Sequence, residues 1–433
     1  MHQQASWLEL PDVVRARRRT LRTLIVAQVL GTLGIGAAPS IGVLLAEQVT
    51  ASETWAGIAR SSTTVGAALI AFPLGALAAR RGRAHALTLA WSLAAAGAVA
   101  LVAAAATGST PLLVLGMLCT GAGTAAGLQS RFAATDLAEP ADRGRSLALV
   151  VWVGTLGAVV GPNLGVPGES VESWFGLAPL SGAFAISAVL LAATALTLRL
   201  GLRPDPLLLA QRHTAADPEQ AGRGGRPLPG RAGIASALRQ VRSVPAAAFA
   251  LTALVLAHVA MVSVMTMTPV HLSHHGHGVS VVGLTISLHV VGMFALSPVV
   301  GALADRLGRV PVILAGQAVL LVAAAVNFLG AGSTVAVAVG LFVLGLGWSV
   351  VTVPAATLLS ESVPARSRPL VQGTGDALMN AAAAVGAIVS GPMLALVGFP
   401  GLAVVSALCV VPVLGLALRR PGRPGPRGTR RRR

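Results

Sequence analysis

The sequence predicts an all-α integral membrane protein whose twelve transmembrane helices form two pseudo-symmetric six-helix halves. Three observations predict it. The chain is 54% hydrophobic and only 11% charged, and apolar runs of about twenty residues or more recur along it, each long enough to cross a hydrocarbon core of ~30 Å. Arginines collect between alternate runs, while the remaining junctions carry no arginine and hold the acids and the histidine cluster. A short arginine-glycine motif also returns at the matching place in each half of the chain.

Residues 1–20 are a polar amino-terminal segment that ends in Arg15, Arg17, Arg18 and Arg19. The first helix, about 21–46, is too long for the core of a signal peptide. Helices 2 to 6 follow at about 54–79, 86–106, 111–134, 146–166 and 177–200, so 21–200 forms the first half. Residues 201–244 are rich in glycine, proline and arginine without strong periodicity and are expected to be a partly disordered connector. Helices 7 to 12 follow at about 245–270, 279–304, 310–330, 335–359, 370–396 and 400–418, giving a second half over 245–418. Residues 419–433 are a basic tail, solvated or lipid-facing.

The formal charge of +17 does not point to nucleic acid, because the arginines flank apolar spans. They fall after helix 2 (Arg80, Arg81, Arg83), after helix 4 (Arg143, Arg145), in the connector, after helix 8 (Arg306, Arg309), after helix 10 (Arg366, Arg368) and in the tail. The opposite loops carry Glu47, Glu53, Glu169, Glu172 and a histidine cluster. By the positive-inside rule both termini lie in the cytoplasm and the histidine loop faces outside, in a cytoplasmic membrane. Cys119 and Cys409 each lie within an apolar span and imply no disulfide framework. The chain has no lysine, which excludes the phosphate-binding loop and the ATP hydrolysis it supports. Transport would run on ion or substrate gradients, with no enzymatic step and no resident cofactor.

The motif Gly75-Ala-Leu-Ala-Ala-Arg80-Arg-Gly82-Arg83 is matched by Gly301-Ala-Leu-Ala-Asp305-Arg306-Leu-Gly308-Arg309. Pro140-Ala-Asp-Arg-Gly-Arg145 is echoed by Pro364-Ala-Arg-Ser-Arg368, and Gly161-Pro162 by Gly391-Pro392. A repeat of this length indicates a duplicated six-helix unit of the kind secondary transporters use. The motif around Asp305 resembles the cytoplasmic-loop signature of the major facilitator superfamily, and the likeness in architecture covers nearly the whole chain. That resemblance implies a gating role for Gly75, Arg80, Gly82, Arg83, Gly301, Asp305, Arg306, Gly308 and Arg309. The glycines are expected to permit close helix contact and Asp305 to sit near the amino end of helix 11, where the helix dipole favours an anion. Ala79 stands where the first half lacks that acid. Gly157-x-x-x-Gly161-Pro162 looks like a helix-5 signature of proton-coupled exporters in the superfamily, although small-residue packing with a proline kink is the simpler reading.

Between His258 and Met293 lie four of the eight methionines and six of the nine histidines. Met261 and Met265, and His289 and Met293, are each four apart and so share a helix face. Thioether and imidazole suit Cu(I) better than hard cations, with Zn(II) or Ni(II) as alternatives. His271, His274, His275 and His277 form a loop suited to metal capture, and His258 lies seven positions from Met265 on the same face. Met267 is two residues off that face and is expected to pack. The two pairs resemble the CcoA-type copper importers of the superfamily, which implies that Met261, Met265, His289 and Met293 handle the metal. Copper would be substrate, not cofactor, and its donors are expected to converge on one water-accessible path. The competing expectations are a proton-coupled efflux pump for organic compounds, with the methionines lining a greasy cavity, and a membrane metal sensor acting through the basic tail. Arg60 and Arg131 are expected to snorkel from opposite ends of their helices. Asp376 is the candidate carboxylate for proton coupling, and Asn163, Asn327 and Asn380 line the cavity or bond between helices. The expected partners are a metal-ion or small-molecule substrate and the lipid bilayer, the protein acting as a monomer.

Overall fold

The computed structural model describes residues 7–139, 143–215, 230–363 and 368–418. Among them the chain is helical throughout. In the first half, α1 (Pro11–Ile35) and α2 (Ile41–Thr50) form one broken passage, followed by α3 (Glu53–Arg81), α4 (Arg83–Thr107) and α5 (Thr110–Ala133). The fifth passage is α6 (Arg143–Val160), a 3-10 turn (Gly161–Leu164) and α7 (Gly165–Phe175), and the sixth is α8 (Gly182–Gly201). After α9 (Pro206–Ala215) and α10 (Gly230–Ser243), the second half contains α11 (Pro245–His274), α12 (Val279–Phe294), α13 (Ser297–Leu307), α14 (Arg309–Leu329) and α15 (Thr334–Glu361). It closes with α16 (Arg368–Leu408) and α17 (Val410–Leu418).

Nine stretches among the described residues are long and apolar enough to cross a membrane singly. The first passage, whose α1 carries five arginines, and the fifth, broken at Gly161–Leu164, are not among those nine. The eleventh and twelfth run together and separate only at Gly398, whose φ of 67° is not helical. The architecture therefore has twelve passages, as the apolar pattern predicts. Helix starts follow local chemistry. Pro11 and Pro245 occupy first turns, where a missing N–H costs nothing, and the Ser109 and Ser333 side chains accept from Leu112 N–H and Ala336 N–H.

The two halves repeat one packing scheme. α1 packs on α6, α3 on α5 and α4 on α5 and α8, matched by α11 on α16, α12 on α15 and α14 on α15 and α16. The cores are continuous and apolar, with Trp91 fully buried in the first half and Phe249 and Phe399 in the second. Large side chains such as Leu69, Val189, Val299 and Val385 project outward without a protein partner face, as a lipid-facing rim requires. The repeated motif has a shared backbone cause. Gly82 and Gly308 adopt φ of 89° and 93°, so each reverses the chain between two helices in a conformation that a side chain would strain.

The connector is more ordered than its composition suggests. α9 and α10 occupy much of it, and α10 buries Ala237 and Val241 against Leu251, Leu359 and Val371. The expectation of disorder at 216–229 and the basic tail at 419–433 lie outside the described residues, as do Pro140, Ala141 and Asp142 of the first-half loop motif and residues 364–367 of the second. α1 also begins inside the polar amino-terminal segment, so its arginines lie on a helix.

Candidate functional site

Two ends of the bundle are distinguished by their residues. The arginine end holds Arg83 and Arg309, and the histidine end holds the α2–α3 junction and the α11–α12 turn. At the arginine end the identified polar contacts hold each half to itself. Arg83 Nε donates to Asp136 Oδ2 at 3.0 Å and Arg83 Nη1 to Gln129 Oε1 at 3.2 Å. Arg309 donates to Asp305 at 2.7 Å, to Glu361 at 3.1 Å and to the Ala304 carbonyl at 2.7 Å. Asp305 is 72% exposed and pairs with Arg309. The residues that lead into α16, 364–367, lie outside the described residues, and with them the expected helix-dipole contact of Asp305. In the first half Asp205, from the connector, accepts from Ala84 N–H at 2.7 Å and supplies the acid that Ala79 does not. Arg80 and Arg306 are exposed. Gly75 and Gly301 are not sites of close contact, since a side chain at Gly301 would meet nothing within 4 Å and one at Gly75 only Gln129 at 3.6 Å.

At the histidine end the halves meet. Ser61 Oγ donates to the Ala384 carbonyl at 2.7 Å, and Asn163 Nδ2 to Ser287 Oγ at 2.6 Å. The α3 and α16 backbones approach so closely that a Cβ on Gly57 would lie 2.2 Å from the Ala387 carbonyl oxygen. His274 Nε2 contacts Glu47 Oε1, and its Nδ1 lies 3.8 Å from Glu53 Oε1, so a histidine of one half bridges two acids of the other.

Between the halves lies a cavity of about 310 Å³. α1 and its break contribute Thr32 and Pro39, α3 contributes Arg60, Thr63 and Thr64, and α5 contributes Thr120 and Thr124. The second half contributes His258, Met261 and Met265 from α11, Met293 and Phe294 from α12, and Asn380 from α16. Met261 and Met265 both line the cavity, as their four-residue spacing predicts, and Met293 of α12 joins them there. Met267 is fully buried in the second-half core, where packing was expected. His258 Nδ1 accepts from Trp348 Nε1–H at 2.9 Å.

His289 departs from expectation. It is fully buried, outside the lining of the cavity, and its Nδ1 donates to the Leu341 carbonyl at 2.7 Å. The physical reason is that an imidazole sealed among apolar side chains needs a hydrogen-bond partner, and the backbone of α15 offers one. The histidine cluster is only partly gathered: the rings of His271 and His275 lie 4.3 Å apart, while His274 faces Glu47 and His277 faces Thr334. α11 extends to His274, so His271 and His274 are helical. His271 stacks on Phe399 at 4.2 Å and its Nε2 donates to the Ala331 carbonyl at 2.8 Å, His275 Nδ1 donates to the His271 carbonyl, and His277 pairs with Thr334. Each ring has its own partner, and among the described residues no group of three or more His, Cys, Asp or Glu side chains is placed to hold a metal. Asp376 is exposed near the start of α16; Asn380, one turn on, and Ala383 are the residues of that helix that line the cavity. Asn327 is buried and bonds the Ala323 carbonyl, away from the cavity. The Gly157–Gly161 spacing serves packing: a Cβ at either would lie within 2.2–2.6 Å of Thr32 or Gly36, so α6 abuts the break in the first passage.

Sequence reasoning missed Arg60. It was expected to snorkel, yet it lines the cavity. The signal was available, since seven residues separate it from the first residue of α3, a depth of ~10 Å, beyond easy reach of the surface. Trp348 and the acids Glu47 and Glu53 were missed as partners because their contacts cross between helices distant in sequence.

The model of the Major Facilitator Superfamily matches residues 24–281 and 272–433. The chain is 33% identical over 415 residues to the uncharacterized MFS-type transporter YdeG of Bacillus subtilis (strain 168), covering 94% of each. It is 34% identical over 413 residues to YddS of the same organism, covering 93% of this chain and 92% of that one. The riboflavin transporter RfnT of Brucella anthropi is 28% identical over 382 residues, covering 88% and 90%. Among solved structures the nucleoside transporter NupG aligns with a TM-score of 0.69 at 16% identity, over 93% of this chain and 98% of that one, a likeness of fold alone. With two six-helix halves around a shared cavity and a family match spanning nearly its whole length, the chain belongs to the major facilitator superfamily.

Proposed function

We propose that the chain is a secondary transporter of a small organic solute, acting as a monomer in the cell membrane with the arginine end and both termini in the cytoplasm. The observation that carries this reading is the cavity of about 310 Å³ lined by both halves, with its closure at the histidine end made by contacts between them. Its size is at the small end of the range typical of small-molecule sites, ~300–1,000 Å³. In the membrane orientation given by the positive-inside rule, this is a carrier closed to the outside. Rocking the halves would break the Ser61, Asn163 and His274 contacts and admit solute from the other face. The Brucella anthropi relative named a riboflavin transporter supports an organic solute. Coupling to protons through Asp376, one turn from the cavity-lining Asn380, completes the proposal; Asp376→Asn should abolish transport driven by a pH gradient.

The experiment compares metabolites of cells that express the chain with those of cells expressing Gly57→Leu, which blocks approach of α3 to α16. A few organic solutes should be enriched or depleted, and the sign gives the direction. Identical profiles would overturn the proposal. Copper transport is a second reading, favoured by the three thioethers of Met261, Met265 and Met293 on the cavity wall. Against it stand a guanidinium in the same cavity, which repels a metal cation, and the turning of His289 toward α15. Unchanged cellular copper in Met265→Leu and Met293→Leu would remove it.

A further inference from the structure

The charge balance of the cavity says more than its size. Arg60 lies in it near His258, and no Asp or Glu side chain is among the lining residues. Among the described residues no hydrogen bond or ion pair joins Arg60 to an acceptor. A guanidinium never loses its proton in such a place and presents five N–H donors in a planar fork. Removing it from bulk water without a counter-charge is costly, and so is retaining it inside a membrane. His258 adds a second donor by a separate route. Indole N–H can only donate, so the bond from Trp348 Nε1 to His258 Nδ1 at 2.9 Å requires Nδ1 to be unprotonated. The neutral ring then carries its hydrogen on Nε2. Trp348 thus selects the tautomer and leaves an N–H where a carbonyl-like acceptor would otherwise face.

The other lining groups set the rest of the ligand. The hydroxyls of Thr32 and Thr120 already donate to the Gln28 and Met117 carbonyls, and Asn380 Nδ2 donates to the Asp376 carbonyl at 2.8 Å. Their oxygens remain as neutral acceptors. Met261, Met265, Met293, Ile286 and Phe294 form an apolar wall. We infer that the solute is an organic anion whose oxyanion group is held by Arg60 and the Nε2–H of His258, with a hydroxyl- or N–H-bearing apolar body against the methionine wall. The inference rests on the transport reading above and names its substrate class. Carboxylate geometry matches the guanidinium fork by two parallel bonds.

The test reads the sign of the potential in the cavity and requires no knowledge of the solute. Cys119 and Cys409 are replaced by alanine, Thr64→Cys places a thiol on the cavity one turn from Arg60, and Gly332→Cys supplies an exposed reference. The protein is held in phosphatidylcholine nanodiscs, so no anionic lipid headgroup competes. Rates of modification by 2-sulfonatoethyl and 2-(trimethylammonio)ethyl methanethiosulfonate are then compared. Relative to the reference, the sulfonate should be favoured by roughly tenfold at position 64. Arg60→Gln should bring the ratio close to the reference, and Arg60→Lys, which keeps the charge, should retain most of the preference. A ratio at or below the reference in the protein with Arg60 intact, or a preference that survives Arg60→Gln, would overturn the inference. The measurement needs no turnover, so a flat ratio in a protein that still alters cellular metabolites defeats only the anion assignment. An anion preference with unaltered metabolites defeats the transport reading instead.

Discussion

Replacing Arg83 by glutamine tests how the first half is held together at the arginine end. Arg83 meets Asp136 through two nitrogens, at 3.0 and 3.5 Å, and the side chains are only 14% and 12% exposed. At 3.0 Å and an effective dielectric constant of ~20, the Coulomb attraction is about 5.5 kcal/mol before desolvation is subtracted. Breaking a buried pair by removing one partner costs roughly 3–5 kcal/mol, because the remaining charge is stranded. Burial pushes the Asp136 carboxyl above its ordinary range, and Arg83 pulls it back, while Asp205 adds to the upward push. Without Arg83 only the upward influences remain. The folded variant then binds a proton at Asp136 more tightly than the unfolded chain does. Its stability therefore falls as pH rises from the ordinary carboxylate range to the raised value, and acid restores it. Thermal unfolding in detergent, followed at pH 8 and pH 5 against the parent protein, should show a large deficit at pH 8 that shrinks at pH 5. Adding Asp136→Asn to Arg83→Gln should recover part of the loss at pH 8. A deficit equal at both pH values, with no recovery in the double variant, would refute this account of the pair.

Other consequences concern the histidine end and the buried imidazole. Glu47→Gln combined with Glu53→Gln removes both acids facing His274, and the distance between spin labels at Ala51 and Ser280 should shift toward longer values; an unchanged distribution would show that the latch does not hold the halves. Gly57→Leu inserts a side chain where a Cβ already lies 2.2 Å from the Ala387 carbonyl oxygen, so transport should be lost while the protein still elutes as a folded species. His289→Leu deletes the bond to the Leu341 carbonyl and should lower stability by about 1–3 kcal/mol without changing the charge preference of the cavity. A changed preference would place His289 on the solute path after all.

Much of this molecule is legible in one dimension because a bilayer makes simple demands. Backbone groups in hydrocarbon must bond within a helix, so twelve apolar runs become twelve passages, and a duplicated motif announces two like halves. Gly82 and Gly308 are readable for the same local reason, since a tight reversal between helices needs positive φ. The methionine pair at 261 and 265 faces the cavity because spacing alone sets a shared face. What each face meets is another matter. His289 and Met293 are also four apart, yet one bonds α15 and the other borders the cavity, because a burial-driven hydrogen bond to the Leu341 carbonyl decides where the imidazole turns. Arg60, His258 and Trp348 come from three helices remote in sequence; packing within the second half joins His258 to Trp348, and docking of the halves brings Arg60 to them. Helix periodicity determined which side chains travel together; only tertiary packing decided what stands opposite them, since the energy of a buried charge or ring is set by its neighbours across the interface and not by those along its own strand of sequence.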